Sequence, residues 1–320
     1  MIISRTSLRI SFAGGMTDIP AFYNKTPGAV VSTTIDKYVY VCVMPKFIGK
    51  SRIAYRKYEE VDSNKDISHP IIREALKLLK IEDKIEITSI ADIPAGTGLG
   101  SSSSFTVGLL NALYKYKGYD ATPSELAEQA CKIEMDILKE PIGKQDQYAA
   151  AFGGLNYIKF TEEEVTVEPI HMSQDYLNLL NRNLYLIYLG NINKAKNVLE
   201  HQVKQFKDYH FELVRLKVIA NMIHNSLKEN DLETFGKLLN DAWEIKKLMK
   251  GVTNEEINRI YNIATEYGAL GGKVCGAGGR GFLMFYFHQP GNPVLMITKH
   301  KFKRLDFNIE TEGSKIIYVD

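Results

Sequence analysis

The densest concentration of potential chemistry lies at Pro94-Ala95-Gly96-Thr97-Gly98-Leu99-Gly100-Ser101-Ser102-Ser103-Ser104, ahead of an apolar run through Phe105, Leu109 and Leu113 that stops at Gly118. Closely spaced glycines let a backbone approach an anion without obstruction by Cβ. A loop that opens a helix also turns free N–H groups and the positive end of the helix dipole toward that anion. The serines add hydroxyl donors and one oxygen suited to magnesium. Gly96, Thr97, Gly98, Leu99, Gly100, Ser101, Ser102 and Ser103 therefore read as a phosphate loop. No Gly-Lys-Ser/Thr follows the glycines, which sets the segment apart from Walker loops. The bland alternative, a flexible Gly/Ser turn, suits scattered glycines better than a cluster packed between strand and helix.

Phosphoryl transfer also needs a group that orients or deprotonates the accepting hydroxyl, and cations that offset phosphate charge. The segment Glu134 to Asp146 offers both carboxylates. If Leu126, Ala130, Ile133 and Ile137 form one apolar stripe, a step of about 100° per residue sets Glu134 at the stripe's edge, within reach of a cleft. The alternative is a surface glutamate paired with Lys132 or Lys139. Pro141 to Gly154 reads as a turn, a short helix and a glycine stop, with Asp146 near the helix start, where it either does chemistry or caps. The stretch Lys273-Val274-Cys275-Gly276-Ala277-Gly278-Gly279-Arg280-Gly281-Phe282 spells Gly-x-Gly-x-x-Gly. A dinucleotide loop must lead into a helix, however, and Phe282 to Phe287 is a continuous apolar run that reads as a strand.

These groups need elements to carry them. Residues 29–35 and 38–43 read as two paired strands, 71–80 as a helix and 85–87 as a strand. Thr122, Pro123 and Glu125 form a capping box that opens another helix. The acidic stretch around Glu162-Glu163-Glu164 separates two textures of sequence and puts a boundary near residue 175. Beyond it come a strand at 184–189 and helical patterns at 195–229, 231–250 and 253–267, the last opened by a second box at Thr253 and Glu256. Strand, glycine turn and strand follow at 274–287, and 315–319 makes a closing strand.

Composition narrows the partners. Forty basic residues against 38 acidic ones give a net charge of +2, too little to hold a nucleic acid, so a small molecule is expected. Three scattered cysteines suit neither a disulfide framework nor zinc, and the seven histidines show no ligand spacing. No stretch has the length of a signal peptide or of a membrane span, and a cytoplasmic protein without membrane contact is expected. A homodimer is compatible with all of this.

Three segments together resemble the GHMP kinases, the family of galactokinase, homoserine kinase, mevalonate kinase and phosphomevalonate kinase. They are Arg9-Ile10-Ser11-Phe12-Ala13-Gly14-Gly15-Met16-Thr17-Asp18, the loop 94–104 and the glycine motif 273–282, in the family's order. The resemblance implies an α+β fold of two domains: a ribosomal S5-like α/β domain over 1–175 that binds ATP, and a ferredoxin-like, helix-rich α+β domain over 176–320. It implies ATP and Mg²⁺, the metal held by Ser102 and Glu134. Asp146 would be the catalytic aspartate, with Arg9 offsetting charge beside it. Gly276, Gly278 and Gly279 would form the C-terminal glycine motif, at which the family usually has a small residue in place of Arg280.

Within the family, Asp18, with Gly15 and Thr17, points to sugar binding, because a carboxylate can hydrogen-bond ring hydroxyls bidentately. The segments 8–15, 34–38 and 69–76 look most like the bacterial D-glycero-D-manno-heptose 7-phosphate kinases, which form the 1,7-bisphosphate. Those enzymes have a third glycine where Met16 stands here. A fucokinase-like or other sugar 1-kinase is the alternative within the chemistry, and a non-catalytic sensor of sugar and ATP is the alternative outside it. For a sugar that already carries phosphate, Arg52, Arg56, Lys57 and Arg73 are candidate clamps or ordinary surface charges. The basic run 299–304 reads as the exposed face of a helix or edge strand.

Overall fold

The computed structural model describes residues 1–190, 206–288 and 292–320. The first sheet is built from β1 (Ile2–Ala13), β2 (Gly28–Pro45), β3 (Ser51–Ala54), β4 (Tyr58–Val61), β5 (Ile85–Ala91), β6 (Leu155–Phe160) and β7 (Val165–Pro169). β1 and β2 run antiparallel over nearly their whole length, from Ile2 opposite Val43 to Ala13 opposite Val31. One edge of β2 pairs with β1, while its other edge is shared, the far half pairing with β5 and the near half with β6.

The paired strands expected at 29–35 and 38–43 are in fact one continuous strand. Asp36 and Lys37 between them are neither glycine nor proline and cannot make the tight turn that a hairpin needs. The register instead slips, with Ser7 opposite Tyr38 and Leu8 opposite Ile35. The Asp36 carboxylate then accepts from the backbone and side-chain nitrogens of Asn308, at 2.8 and 2.9 Å.

Helices cover this sheet: α1 (Pro20–Tyr23), α2 (Pro70–Leu78), α3 (Ser101–Tyr116), α4 (Pro123–Cys131) and α5 (Gln145–Phe152). The capping box at Thr122 and Glu125 forms as expected, with bonds of 2.8 and 3.3 Å. α3 can sit close to β1 because its contact face is made of small residues. A Cβ at Gly108 would lie 2.6 Å from Thr6 Oγ1. Ser4 Oγ donates to the Gly108 carbonyl at 2.7 Å and Ser104 Oγ to that of Ser7 at 2.9 Å. The start of α3 is thereby fixed relative to Arg9, farther along the same strand.

The second sheet holds β8 (Leu184–Tyr188), β9 (Ala269–Val274), β10 (Phe282–Phe287) and β11 (Lys303–Leu305) in the order β11-β8-β10-β9. β9 and β10 are antiparallel neighbours, so the glycine motif joins strand to strand. The helices Leu232–Lys246 and Glu255–Glu266 pack on β9, while His210–Lys228 lies between Leu232–Lys246 and the first sheet, where Tyr157 of β6 stacks on His224 at 4.3 Å. The helical pattern expected over 195–229 is observed from His210 onward, and its first part lies outside the described residues. Thr253 does not cap the helix after it. Asn254 does, accepting from Ile257 N at 2.9 Å, while Thr253 bonds to Asn258. Gly236 and Gly271 bring the helix Leu232–Lys246 against β9, since a Cβ at Gly271 would lie 2.2 Å from the Gly236 carbonyl oxygen. Phe235 meets Phe12 and Tyr286 edge-on, both at 5.2 Å, and so joins the two sheets. Among the described residues, no helix is long and apolar enough to cross a membrane.

The chain's end returns to the first sheet. β12 (Ile309–Glu310) pairs with β2, and β13 (Lys315–Val319) lies antiparallel along β1, with Ile2 opposite Val319. A division at residue 175, which we propose as the domain boundary, follows the sheets up to β11, while β12 and β13, which lie beyond it in sequence, pair with the first sheet. Thr6 and Asn111 both bond to Ser314, at 2.8 and 3.0 Å, so the return also ties down α3. A chain ending at Leu305 should therefore lose on the order of 3 kcal/mol or more in urea unfolding, at about 1 kcal/mol per lost backbone hydrogen bond. An unchanged midpoint would show that these strands carry no weight.

Candidate active site

Arg9 is buried near the end of β1 and is held from three sides. Its Nε donates to Asp146 Oδ1 and its Nη2 to Asp146 Oδ2, both at 2.7 Å, and Nη1 donates to the Gly98 carbonyl at 2.7 Å. The Arg9 backbone N–H also donates to the Leu99 carbonyl at 3.0 Å. Asp146 lies in the first turn of α5, whose N-cap is Lys144 and has no side-chain cap. It is therefore not a capping residue, and its two oxygens point at the guanidinium.

The phosphate loop packs on the C-terminal glycine motif. Gly98 and Gly276 both have positive φ, and a Cβ on Gly276 would lie 2.7 Å from the Gly98 Cα. Gly278 is equally confined, with Val252 Cα 2.7 Å from where its Cβ would be. Gly279, also at positive φ, has more room, and Arg280 after it is exposed. Gly100 occupies the N-cap of α3 in left-handed geometry and leaves that helix end without a side-chain cap. Within the loop, Thr97 and Leu99 are fully buried and serve its shape, while Gly96 and Ser102 are exposed and Ser101 is half-buried.

Glu134 goes further inward than the helical spacing implies. Lys132–Ile137 forms a π-helical turn, with the Leu138 N–H donating to the Ile133 carbonyl at 2.9 Å. A wider turn advances each residue by less than 100°, so Glu134 rotates into the interior and Ile137 out to solvent. The carboxylate accepts from Ser102 Oγ at 3.1 Å, Ser103 Oγ at 2.9 Å and Gln147 Nε2 at 2.6 Å. Burial pushes its pKa up, and these hydrogen bonds oppose the rise. Among the described residues no cation pairs with it. A buried carboxylate held only by neutral donors, next to a serine at a phosphate loop, fits a magnesium ion that takes its other ligands from phosphate and water.

On the other side of the Arg9–Asp146 pair lies a cavity lined by Ser11, Gly15, Asp18, Gln145, Lys246 and Lys273 among others. Asp18 is buried and already busy. Its Oδ1 accepts from Met16 N at 2.9 Å and Gln145 Nε2 at 3.1 Å, and its Oδ2 from Gln145 N at 3.1 Å. Burial raises its pKa, countered by the Gln145 bond and reinforced by the charge of Asp146. Thr17 departs from expectation. Its hydroxyl donates within the turn, to Gly14 O at 2.7 Å or Ala29 O at 3.0 Å, and accepts from Ala29 N at 3.0 Å, so it braces the 14–18 turn and does not line the cavity. Met16 adopts φ of 77°, a left-handed geometry that glycine takes without strain, and its side chain is buried.

Four cavity residues escaped sequence reasoning in these positions. Ser11 Oγ and Gln145 Oε1 are buried polar oxygens without a hydrogen-bond partner, ready to meet hydroxyls. Lys273 donates to the Ser11 carbonyl at 2.7 Å. The Lys246 ammonium, at the end of its helix, has no hydrogen bond or ion pair among the described residues. Burial lowers the Lys246 pKa to about 7, helped by the charge of Lys273, and that of Lys273 to about 8. The clamp candidates Arg52, Arg56, Lys57 and Arg73 do not line the cavity. Arg52 on β3 is engaged with Glu86 on β5, and Arg73 on α2 with its neighbour Glu74. A lysine's spacing on a helix says nothing of a strand that packs against it later, which is why the pair was not found.

Residues 70–154 match the family described as GHMP kinases N terminal domain, and residues 223–298 match GHMP kinases C terminal. The chain is 31% identical to the D-glycero-alpha-D-manno-heptose 7-phosphate kinase of Campylobacter jejuni over 98% of each chain. It is 27% identical to the L-fucokinase/L-fucose-1-P guanylyltransferase of Bacteroides fragilis, over 91% of this chain and 35% of that protein. The crystal structure of a D-glycero-D-manno-heptose 1-phosphate kinase from Bacteroides thetaiotaomicron matches over 100% of both chains, with a TM-score of 0.81 and 25% identity.

The buried lysines give a pH signature. A lysine titrates at about 10.4 when unfolded, so between about 7 and that value folded Lys246 binds fewer protons than the unfolded chain does, and stability rises with pH. From pH 7 to 9 the unliganded protein should gain on the order of 2 kcal/mol from this residue. Urea unfolding at both pH values should show the gain in the wild type and a smaller one in Lys246→Met. Equal gains in the two proteins would refute the assignment.

Proposed function

Because the chain belongs to the GHMP kinase family, we propose that it transfers the terminal phosphoryl group of ATP to the anomeric hydroxyl of a sugar, with D-glycero-D-manno-heptose 7-phosphate as acceptor and the 1,7-bisphosphate as product. The observation that carries this reading is the place of the Arg9–Asp146 pair. It is tied by Gly98 to the phosphate loop and forms the wall of the cavity that also contains Asp18. A hydroxyl lying against Asp146 would face a phosphate on the loop, with Arg9 between the two charges.

In this mechanism the loop N–H groups and the start of α3 cradle the ATP phosphates. Asp146 orients the sugar hydroxyl and takes its proton as the O–P bond forms, and ADP leaves. Arg9 fixes the carboxylate's direction and offsets the charge that develops on the transferred group. Magnesium, held by Ser102 and Glu134, would neutralise phosphate charge. Asp18, through Gln145, shapes the sugar side, where Ser11 Oγ and Gln145 Oε1 have acceptor capacity left for hydroxyls. The fucokinase-like alternative differs only in the sugar. ADP release against hexoses, heptoses and L-fucose, each with and without a terminal phosphate, decides between them.

Asp146→Asn keeps shape and removes the charge that orients the hydroxyl, so kcat should fall by about 10²–10⁴-fold with little change in the sugar KM. Near-normal kcat would remove Asp146 from the chemistry. Glu134→Gln should raise the magnesium concentration needed for half-maximal turnover, while thermal unfolding without ligand shows no loss of stability, because the carboxylate is held there against its desolvation cost. Wild-type activity at limiting magnesium would exclude Glu134 as a metal ligand.

A further inference from the structure

Lys246 and Lys273 are the cavity's unexplained charges. They arrive from separate elements, Lys246 from the end of the helix Leu232–Lys246 and Lys273 from β9, and both are buried. The other charged groups facing them are Arg9, Asp146 and Asp18. Arg9 and Asp146 neutralise one another through two bonds of 2.7 Å. Asp18 spends its oxygens on Met16 and Gln145. Lys273 has one neutral partner, the Ser11 carbonyl, and Lys246 has none among the described residues. Two ammonium groups against one occupied carboxylate leave the cavity short of negative charge. Burying unpaired cations is costly and drives them toward the neutral form, as the lowered pKa values of both lysines reflect, and a bound anion would supply the missing partner.

Position indicates whose anion this is. The cavity lining contains none of residues 96–103, so the nucleotide phosphates belong on the loop side of the Arg9–Asp146 pair and the lysines on the acceptor side. Lys246 shares the cavity with Asp18, the residue nearest in role to the sugar. We propose that Lys246 and Lys273 form a subsite for a phosphate monoester carried by the acceptor sugar, away from the hydroxyl that reacts. This rests on the sugar kinase reading above and extends it by naming the groups that would distinguish a sugar phosphate from a free sugar. Lysine ammoniums suit the task as point charges that do not demand one orientation of the phosphate. Burial, which lowers both pKa values, also means that a bound dianion would hold both groups protonated.

The test compares D-glycero-D-manno-heptose with its 7-phosphate, by calorimetric binding without nucleotide and by ADP release with MgATP. The wild type should bind the 7-phosphate at least about 10–100-fold more tightly than the free heptose, the range expected for hydrogen bonds to a charged group. Lys246→Met should erase most of that preference, Lys246→Arg should keep most of it, and Lys273→Met should reduce it. Circular dichroism and thermal unfolding establish that each variant is folded, and Lys273→Met together with Lys246→Arg carries the test should Lys246→Met fail to fold. A wild type without preference, or a Lys246→Met protein that retains it, overturns the subsite and leaves the kinase reading intact. A variant effect confined to the KM for ATP also overturns it and moves the lysines to the nucleotide. Preferential binding without turnover of any sugar supports the subsite and overturns the kinase reading.

Discussion

The bidentate contact between Arg9 and Asp146 is an ion pair largely withdrawn from water, and such a pair offsets its desolvation only when geometry holds both partners and the remaining donors are satisfied. Here β1 fixes the arginine backbone, α5 fixes the aspartate, and the Gly98 carbonyl takes the remaining donor side of the guanidinium. Every other part of the site is arranged around that contact. The phosphate loop is located by its bonds to Arg9, and the 14–18 turn is located by Asp18 gripping Gln145, the residue before Asp146. A shift of α5 by even a fraction of an ångström would therefore be felt in both halves of the cleft.

Close backbone approach gives this arrangement its rigidity. Gly98 against Gly276 and Gly143 against Asp18 leave no room for a Cβ, which would come within 1.9 Å of an Asp18 oxygen in the second case. Gly276 locks the loop against the turn that follows β9, and Gly278 packs that turn on Val252, whereas Gly96 is exposed. The same logic accounts for the tolerance of Arg280, which sits where φ is not positive and where its side chain meets solvent.

The site also spends stability on charge. Glu134 is buried with neutral donors, Asp18 with amides, and the Lys246 ammonium with no partner among the described residues. Each group raises the free energy of the unliganded fold and would be relieved by a ligand of opposite sign or by hydroxyls. That pattern separates the site from the structural polar groups of the same chain. Thr17 and Ser4 are just as buried, but their hydrogen bonds are complete within the protein.

How far the sequence reached can be read residue by residue. The phosphate loop was legible as a glycine run before a helix and three motifs in order identified the family, whereas Arg9, Glu134 and Asp146 were singled out by that resemblance, since local spacing left Glu134 open to a surface ion pair and Asp146 to capping. The strand-turn-strand context of the C-terminal glycines was also legible, since β-branched and aromatic residues after a turn have one local reading. Local pattern could not say that Asp36 and Lys37 continue a strand, because a bulge is stabilised by the neighbour strand and by Asn308 from the far end of the chain. Nor could it turn Glu134 fully inward, which took a π-helical turn, or give Thr17 its bracing role. The sequence by itself determined the family and which side chains are candidates to bind phosphate or accept a proton, since those capacities belong to side-chain chemistry and to contacts within a few residues. Only the tertiary structure decided which charges face one another. Lys246 and Lys273 are 27 positions apart, and their burial beside Asp18 is a property of a helix packed on a strand through Gly236 and Gly271, a long-range contact that no local pattern encodes.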